Sequence, residues 1–460
     1  MTDAPEPGHA AKRPALTVMS RQGPRQAKTP AGAFIGGAKG RLLPMSIPLR
    51  FFGAAVFFHL LAWLALGAGA AHWAQFGGGL GWPLAALHLI TLGVLGMSVL
   101  GAGAQLLPVA SRQAAIGPHL LVAVWWLYTP GVAILALGMG LARPPLIAAG
   151  AAATTIALLA WALLTGRNLL GARGMPGVIG HGWAALAALL VMLTAALALV
   201  ALWLGWLAPA RDTVLALHRV MAPVGFIGML SFGLSYVLLP MFVLADTPDD
   251  RHQLASLALL VAALVLAALA TLGLAPAWVH WLALLAATAG ITLHLWLMAR
   301  VIRAGIRRFG GPSGTLVRVG WIGLVASMVL AWVLVLDGPL PRAGLWFGLC
   351  LVGVWQLSFL LGILQRIAPF LAAMHAGGGR RARTPSALTH EPALRLHRVC
   401  HCGALLLLAA AIATGNHWLT LVAAGVGATG ALAFGVFFGT LVWRLRKPAT
   451  TVNRTSQAGS

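Results

Sequence analysis

Apolar residues run along this chain in long blocks, broken by short stretches that hold most of the charge. Each block reaches the roughly 20 residues a helix needs to cross a hydrocarbon core of about 30 Å. None shows the two-residue alternation of a membrane barrel, so the spans are expected to be helices, whose backbone groups pair internally. Twelve are predicted, near 46–70, 83–108, 119–141, 145–165, 181–207, 213–243, 253–273, 276–300, 315–336, 342–372, 392–414 and 417–443. Residues 1–43 are basic, rich in Pro and Gly and without apolar period, and are expected to form a disordered tail with no cleavable signal. The membrane domain is then 44–444, followed by a second tail at 445–460.

Composition strengthens this division. Hydrophobic residues make up 60% of the 460 and charged residues 8%, against about 25% charged in a typical soluble domain. The net charge of +23 would suit nucleic acid if it were clustered on one soluble face, but it is divided by side. With the N-terminus inside, only Arg143, Arg211, Arg219 and Arg342 of the 31 Lys and Arg fall outside. That asymmetry places both termini in the cytoplasm and the chain in a bacterial inner membrane. The bilayer, its anionic lipids included, is the expected partner of the basic face, and no nucleic acid is expected.

Three spans share a pattern. The second closes on GAGAQLLP (101–108), the sixth on GLSYVLLP (233–240) and the tenth on GILQRIAP (362–369). In each, glycine precedes proline by the same interval, and the three spans stand four apart. The second and sixth also share Gly96-Met97 with Gly228-Met229, and Leu87-His88 with Leu217-His218. The reading is an all-α polytopic bundle of three four-helix repeats, with the marked helix second in each group. Small residues and proline are accounted for by close helix packing and helix ends.

The histidines carry the candidate chemistry, because ionisable groups inside a membrane are costly and usually functional. His88 lies roughly 8 Å, and His218 roughly 9 Å, below the outer surface at 1.5 Å per residue. Two neutral imidazoles at one depth on repeat-related helices suit the axial positions of an electron-transfer haem. His59, near the middle of the first span, is a third candidate. In LHRVCHC (396–402), His397 and His401 share a helix face and Cys400 and Cys402 flank His401, a donor set that suits copper(I) or zinc. The three cysteines do not reveal a redox compartment, and no Cys-x-x-Cys-His is present.

What the spans lack narrows the choice. All eight acids, Asp3, Glu6, Asp212, Asp246, Asp249, Asp250, Asp337 and Glu391, lie outside the span interiors. A carboxylate relay for cation-coupled transport and an acid to orient a catalytic histidine are therefore missing. A facilitated transporter, or a membrane subunit without cofactor, stays open as the alternative. The short, nearly uncharged outer loops leave the redox partner unknown.

Twelve spans with a threefold repeat and both ends inside resemble subunit I of the haem-copper oxidases, a superfamily that includes nitric oxide reductases. The resemblance implies that His88 stands at the low-spin haem ligand of the second helix. It makes His218 the counterpart of a metal histidine on the sixth. The His-x-His of the tenth helix has no match in 342–372, nor the His-His of the seventh in 253–273, and Tyr236 is far in sequence from His218. The resemblance thus implies a divergent relative without the binuclear centre. Such a protein would bind haem b through His88, with His218 or His59 as second ligand, and copper as a further candidate. It would serve electron transfer or respiratory and nitrogen-oxide metabolism, as do multi-span haem and copper proteins of nitric oxide response.

Overall fold

The computed structural model describes residues 1–2, 41–206, 210–375 and 384–446. The basic segment up to residue 40, the end after 446, and Arg380, Arg381 and Arg383 lie outside the described residues. Among the described residues twelve helices are long and apolar enough to cross a membrane: α1 (Ser46–Ala68), α2 (Trp82–Ser111), α3 (Pro118–Gly140), α4 (Pro144–Leu170), α5 (Pro176–Trp203), α6 (Arg211–Val243), α7 (Asp250–Thr271), α8 (Val279–Ala304), α9 (Gly311–Val335), α10 (Ala343–His375), α11 (Glu391–Thr414) and α12 (His417–Arg446). The chain is a multi-pass, all-α membrane protein. Six of these helices start with proline in their first turn, at Pro83, Pro118, Pro144, Pro176, Pro312 and Pro392. A missing N–H costs nothing there, and the fixed φ is already helical. Pro176 accordingly starts α5 earlier than its apolar run suggests.

The helices close into a ring of three groups. In each group the first helix packs on the second and the third on the fourth; α4 then meets α5, α8 meets α9, and α12 closes on α1. The second helices α2, α6 and α10 stand at the centre and touch one another. They are also the most enclosed: 72%, 94% and 78% of their most apolar windows are buried, against 22–56% for the other spans.

The repeat is visible in packing. A side chain at Gly101 would come within 2.8 Å of Phe51 Cβ, and one at Gly233 within 2.6 Å of His181 Cβ. Phe51 and His181 hold the same place, one turn into α1 and α5. At Gly362 the neighbours are Ser313 O and Val317 on α9, each 3.0 Å away. The shared glycine is therefore where the first helix of each group crosses the second, a contact that no larger residue permits.

The three prolines do not end their helices. Pro108, Pro240 and Pro369 lie inside α2, α6 and α10. The chain turns a few residues later, at Arg112 and Leu244 in left-handed conformation after α2 and α6. Packing from neighbouring helices compensates the lost backbone bond.

A feature without a sequence signature accompanies them. Each central helix is widened to π geometry at Leu89–Gly96, Met221–Gly228 and Leu349–Leu357. The first two segments end at the shared Gly-Met pair, and the third stops at the corresponding Leu357-Ser358. A π turn leaves carbonyls poorly placed for the helix ladder, so other groups satisfy them. Tyr128 Oη on α3 donates to Leu92 O at 3.1 Å. Gln356 Nε2 on α10 donates to Pro223 O on α6 at 2.5 Å. Ser358 Oγ donates to Gly353 O at 3.4 Å.

Candidate functional site

The π segment of α2 begins directly after His88, and that of α6 three residues after His218. The two central helices thereby bring the two imidazoles together, with nearly parallel planes, at the arginine-poor end. Their ring centroids are 6.4 Å apart and their planes differ by 15°. His88 Nδ1 lies 3.0 Å from Leu84 O. A carbonyl only accepts, so Nδ1 carries the proton and Nε2 of the neutral ring keeps the lone pair. His218 Nδ1 is buried without a hydrogen-bond partner.

The surroundings of the pair differ above and below. Deeper in the bundle the π segments are packed solid: a Cβ on Gly93 would stand 2.7 Å from Phe58, and one on Gly225 2.6 Å from Ala188. At the level of the pair and outward, Leu87, Thr91, Leu217, Val220, Trp346 and Phe347 are only partly covered. The site therefore opens toward the arginine-poor end. Arg219, next to His218, donates to Gly77 O at 3.0 Å, and Arg211 to Gly78 O at 3.3 Å. These bonds fold the α1–α2 connection over the start of α6 and hold two cations beside the site.

His59 is elsewhere. Its ring contacts are to Trp63, His397 and His401, at 6.3, 5.8 and 6.5 Å between centroids. The structure separates the three expected haem candidates, keeping His88 with His218 and moving His59 to the pair on α11. The reason is azimuth: His59 faces the α11–α12 side of α1, while its neighbour Phe58 fills the groove at Gly93 on α2. Cys400 and Cys402 are free thiols, each half-covered, and flank rather than join the histidines.

A third polar group has no sequence motif. His181 on α5, Tyr236 on α6 and His294 on α8 meet, with Tyr236 5.5 Å from His181 and 5.2 Å from His294 between ring centroids. His294 Nδ1 and Tyr236 Oη are 3.0 Å apart, while His181 Nδ1–H donates to Gly177 O at 2.8 Å. A cleft too narrow for a water molecule lies beside His294, lined in part by Ser231, Ser235, Phe232 and Trp355. The tyrosine that lacks a partner in sequence near His218 thus has one in space on α8. The clue in the sequence is position: His181 occupies the repeat place of Phe51, where a polar residue stands out.

No protein-family model matches the chain, and no curated protein matches it. Among solved structures 28 chains match. One is a cryo-EM structure of a haem-copper terminal oxidase dimer, which superposes with a TM-score of 0.60 at 11% identity, covering 91% of this chain and 85% of its own. The chain shares the fold of that terminal-oxidase chain.

Proposed function

We propose that this is an oxidase-like protein of the bacterial inner membrane, with cytoplasmic termini, that binds one haem b between His88 and His218 and serves electron transfer or an accessory role in respiratory or nitrogen-oxide metabolism. The observation that carries the reading is this pair. The two ring centres are 6.4 Å apart, a separation at which both imidazoles could hold one metal ion. Bound there, the haem would supply one-electron chemistry.

The chain's own groups do the rest. Leu84 O holds the His88 proton on Nδ1 and so aims the Nε2 lone pair. Arg211 and Arg219 place positive charge where an anionic edge of the ligand would emerge. The helices that would need metal histidines for oxygen or nitric oxide reduction, α7 and α10, hold none in their interiors, so the reading stops at electron transfer.

The test is spectroscopic. Protein purified in detergent from haem-replete cells should show a low-spin Soret band and one haem b per chain by pyridine haemochrome assay. His88→Ala and His218→Ala should each remove the low-spin signature, and His59→Ala should leave it. A wild-type protein without the band, or a band that survives both changes, overturns the proposal.

A further inference from the structure

His59, His397 and His401 form a group of their own in the seam where α11 and α12 close on α1. The rings are 5.6–6.5 Å apart in all three pairs and 0–1% exposed. Each ring gives one nitrogen to a neighbour that fixes its tautomer. The Trp63 indole N–H donates to His59 Nε2 at 3.1 Å; indole is only a donor, so that nitrogen holds the lone pair and Nδ1 the proton. Gly430 O accepts from His397 Nδ1–H at 3.0 Å, which leaves the lone pair on Nε2. Ser358 Oγ donates to Gly353 O and stands 2.8 Å from His401 Nε2. With the serine oxygen as acceptor of that contact, Nε2 donates and Nδ1 keeps the lone pair. The remaining nitrogens, His59 Nδ1, His397 Nε2 and His401 Nδ1, are all buried without a partner. Among the described residues several buried polar atoms lack a partner, but here three lie in neighbouring rings, where a single guest could meet them.

We propose that His397 and His401 form a binding site for a soft monovalent cation of the copper(I) or silver(I) class. Four residues apart on α11, they present two neutral imidazole lone pairs from rings 5.6 Å apart, a separation at which both could hold one metal ion. The charge of the guest follows from the surroundings. The acid on α11 is Glu391, in the first turn and paired with Arg395 at 3.5 Å, so no carboxylate reaches the site. Desolvation rises with the square of the charge, and a divalent ion held by neutral ligands in an apolar seam is strongly disfavoured. Imidazole also suits copper. Among the described residues no group of three or more His, Cys, Asp or Glu is set to hold a metal ion. The tautomer of His59 agrees with that: it turns an N–H, not a lone pair, to the group. The site is two-coordinate, with His59 as its wall.

The experiment uses the full-length protein, anaerobically loaded with silver(I) or copper(I) and passed through gel filtration. One equivalent should remain bound. It should survive the triple change Cys350→Ser, Cys400→Ser and Cys402→Ser, and be lost in His397→Leu/His401→Leu. Ser358→Ala, which unfixes the His401 tautomer, should weaken binding about tenfold. X-ray absorption of the loaded wild type should show nitrogen neighbours alone, which decides the matter even if the double variant does not fold. A sulfur shell, no retained metal, or loss in the triple cysteine variant overturns the site. None of these readouts depends on haem.

Discussion

The two histidine groups differ in enclosure, and enclosure decides what each can hold. His88 and His218 stand together at the tops of α2 and α6, half-covered, and His88 is held by its bond to the Leu84 carbonyl. His59, His397 and His401 are sealed in the α1–α11–α12 seam, and each is anchored by a different neighbour: Trp63, Gly430 and Ser358. The first pair stands among partly covered side chains at the arginine-poor end, and the second among buried ones. The same side chain in the same membrane is thus directed to different chemistry by what surrounds it.

The largest effect expected is all-or-none. His88→Ala should abolish the low-spin haem spectrum, while His397→Ala should leave its position and intensity unchanged. The comparison breaks if both changes, or neither, alter the Soret band.

Packing should separate crossing points from open glycines next. At Gly101 a valine would drive into Phe51 and Phe52, and overpacking of this kind costs up to about 3 kcal/mol. A Cβ at Gly344 or Gly348 would meet nothing within 4 Å, so alanine there should stay within about 0.5 kcal/mol of wild type. Thermal unfolding in detergent reads both. Equal losses at the two kinds of position would mean that the shared glycine is not a crossing point.

Much of this is legible in the sequence. The twelve spans follow from run length, and the threefold grouping from the glycine-to-proline interval that marks α2, α6 and α10. The pairing of His88 with His218 follows from depth alone, since both stand on repeat-related helices at one level. The place of His59 does not, because depth along a helix carries no azimuth, and residues 58 and 59 face different neighbours. The π segments are hidden because no residue type encodes them; only Gly96-Met97 and Gly228-Met229 mark where they end. His181, Tyr236 and His294 come from three helices with no common spacing, so only the tertiary fold assembles them.

That third group gives a smaller effect. Tyr236→Phe removes the hydroxyl 3.0 Å from His294 Nδ1 and leaves a buried ring nitrogen unpaired, a loss of about 1–2 kcal/mol. His181, whose Nδ1–H is bonded to Gly177 O, keeps its partner in that variant. Denaturation of Tyr236→Phe and Tyr236→Phe/His294→Leu tests the pairing: the double change should cost less than the sum of the two singles.

The smallest difference separates serines that stand shortly after the π segments. Ser98 and Ser231 donate to Val94 O and Ile227 O of their own helices, at 2.6 and 2.7 Å. Such back-bonding duplicates what the helix already offers its carbonyls, so Ser98→Ala should change stability by less than about 0.5 kcal/mol. Ser358 instead links two elements, since its hydroxyl donates to Gly353 O and faces His401 Nε2. Its removal leaves a donor and an acceptor buried together, and should cost about 1 kcal/mol or more. If Ser98→Ala proves as costly as Ser358→Ala, the sealed group is not held by its own hydrogen bonds. Its tautomers would then be set by packing alone.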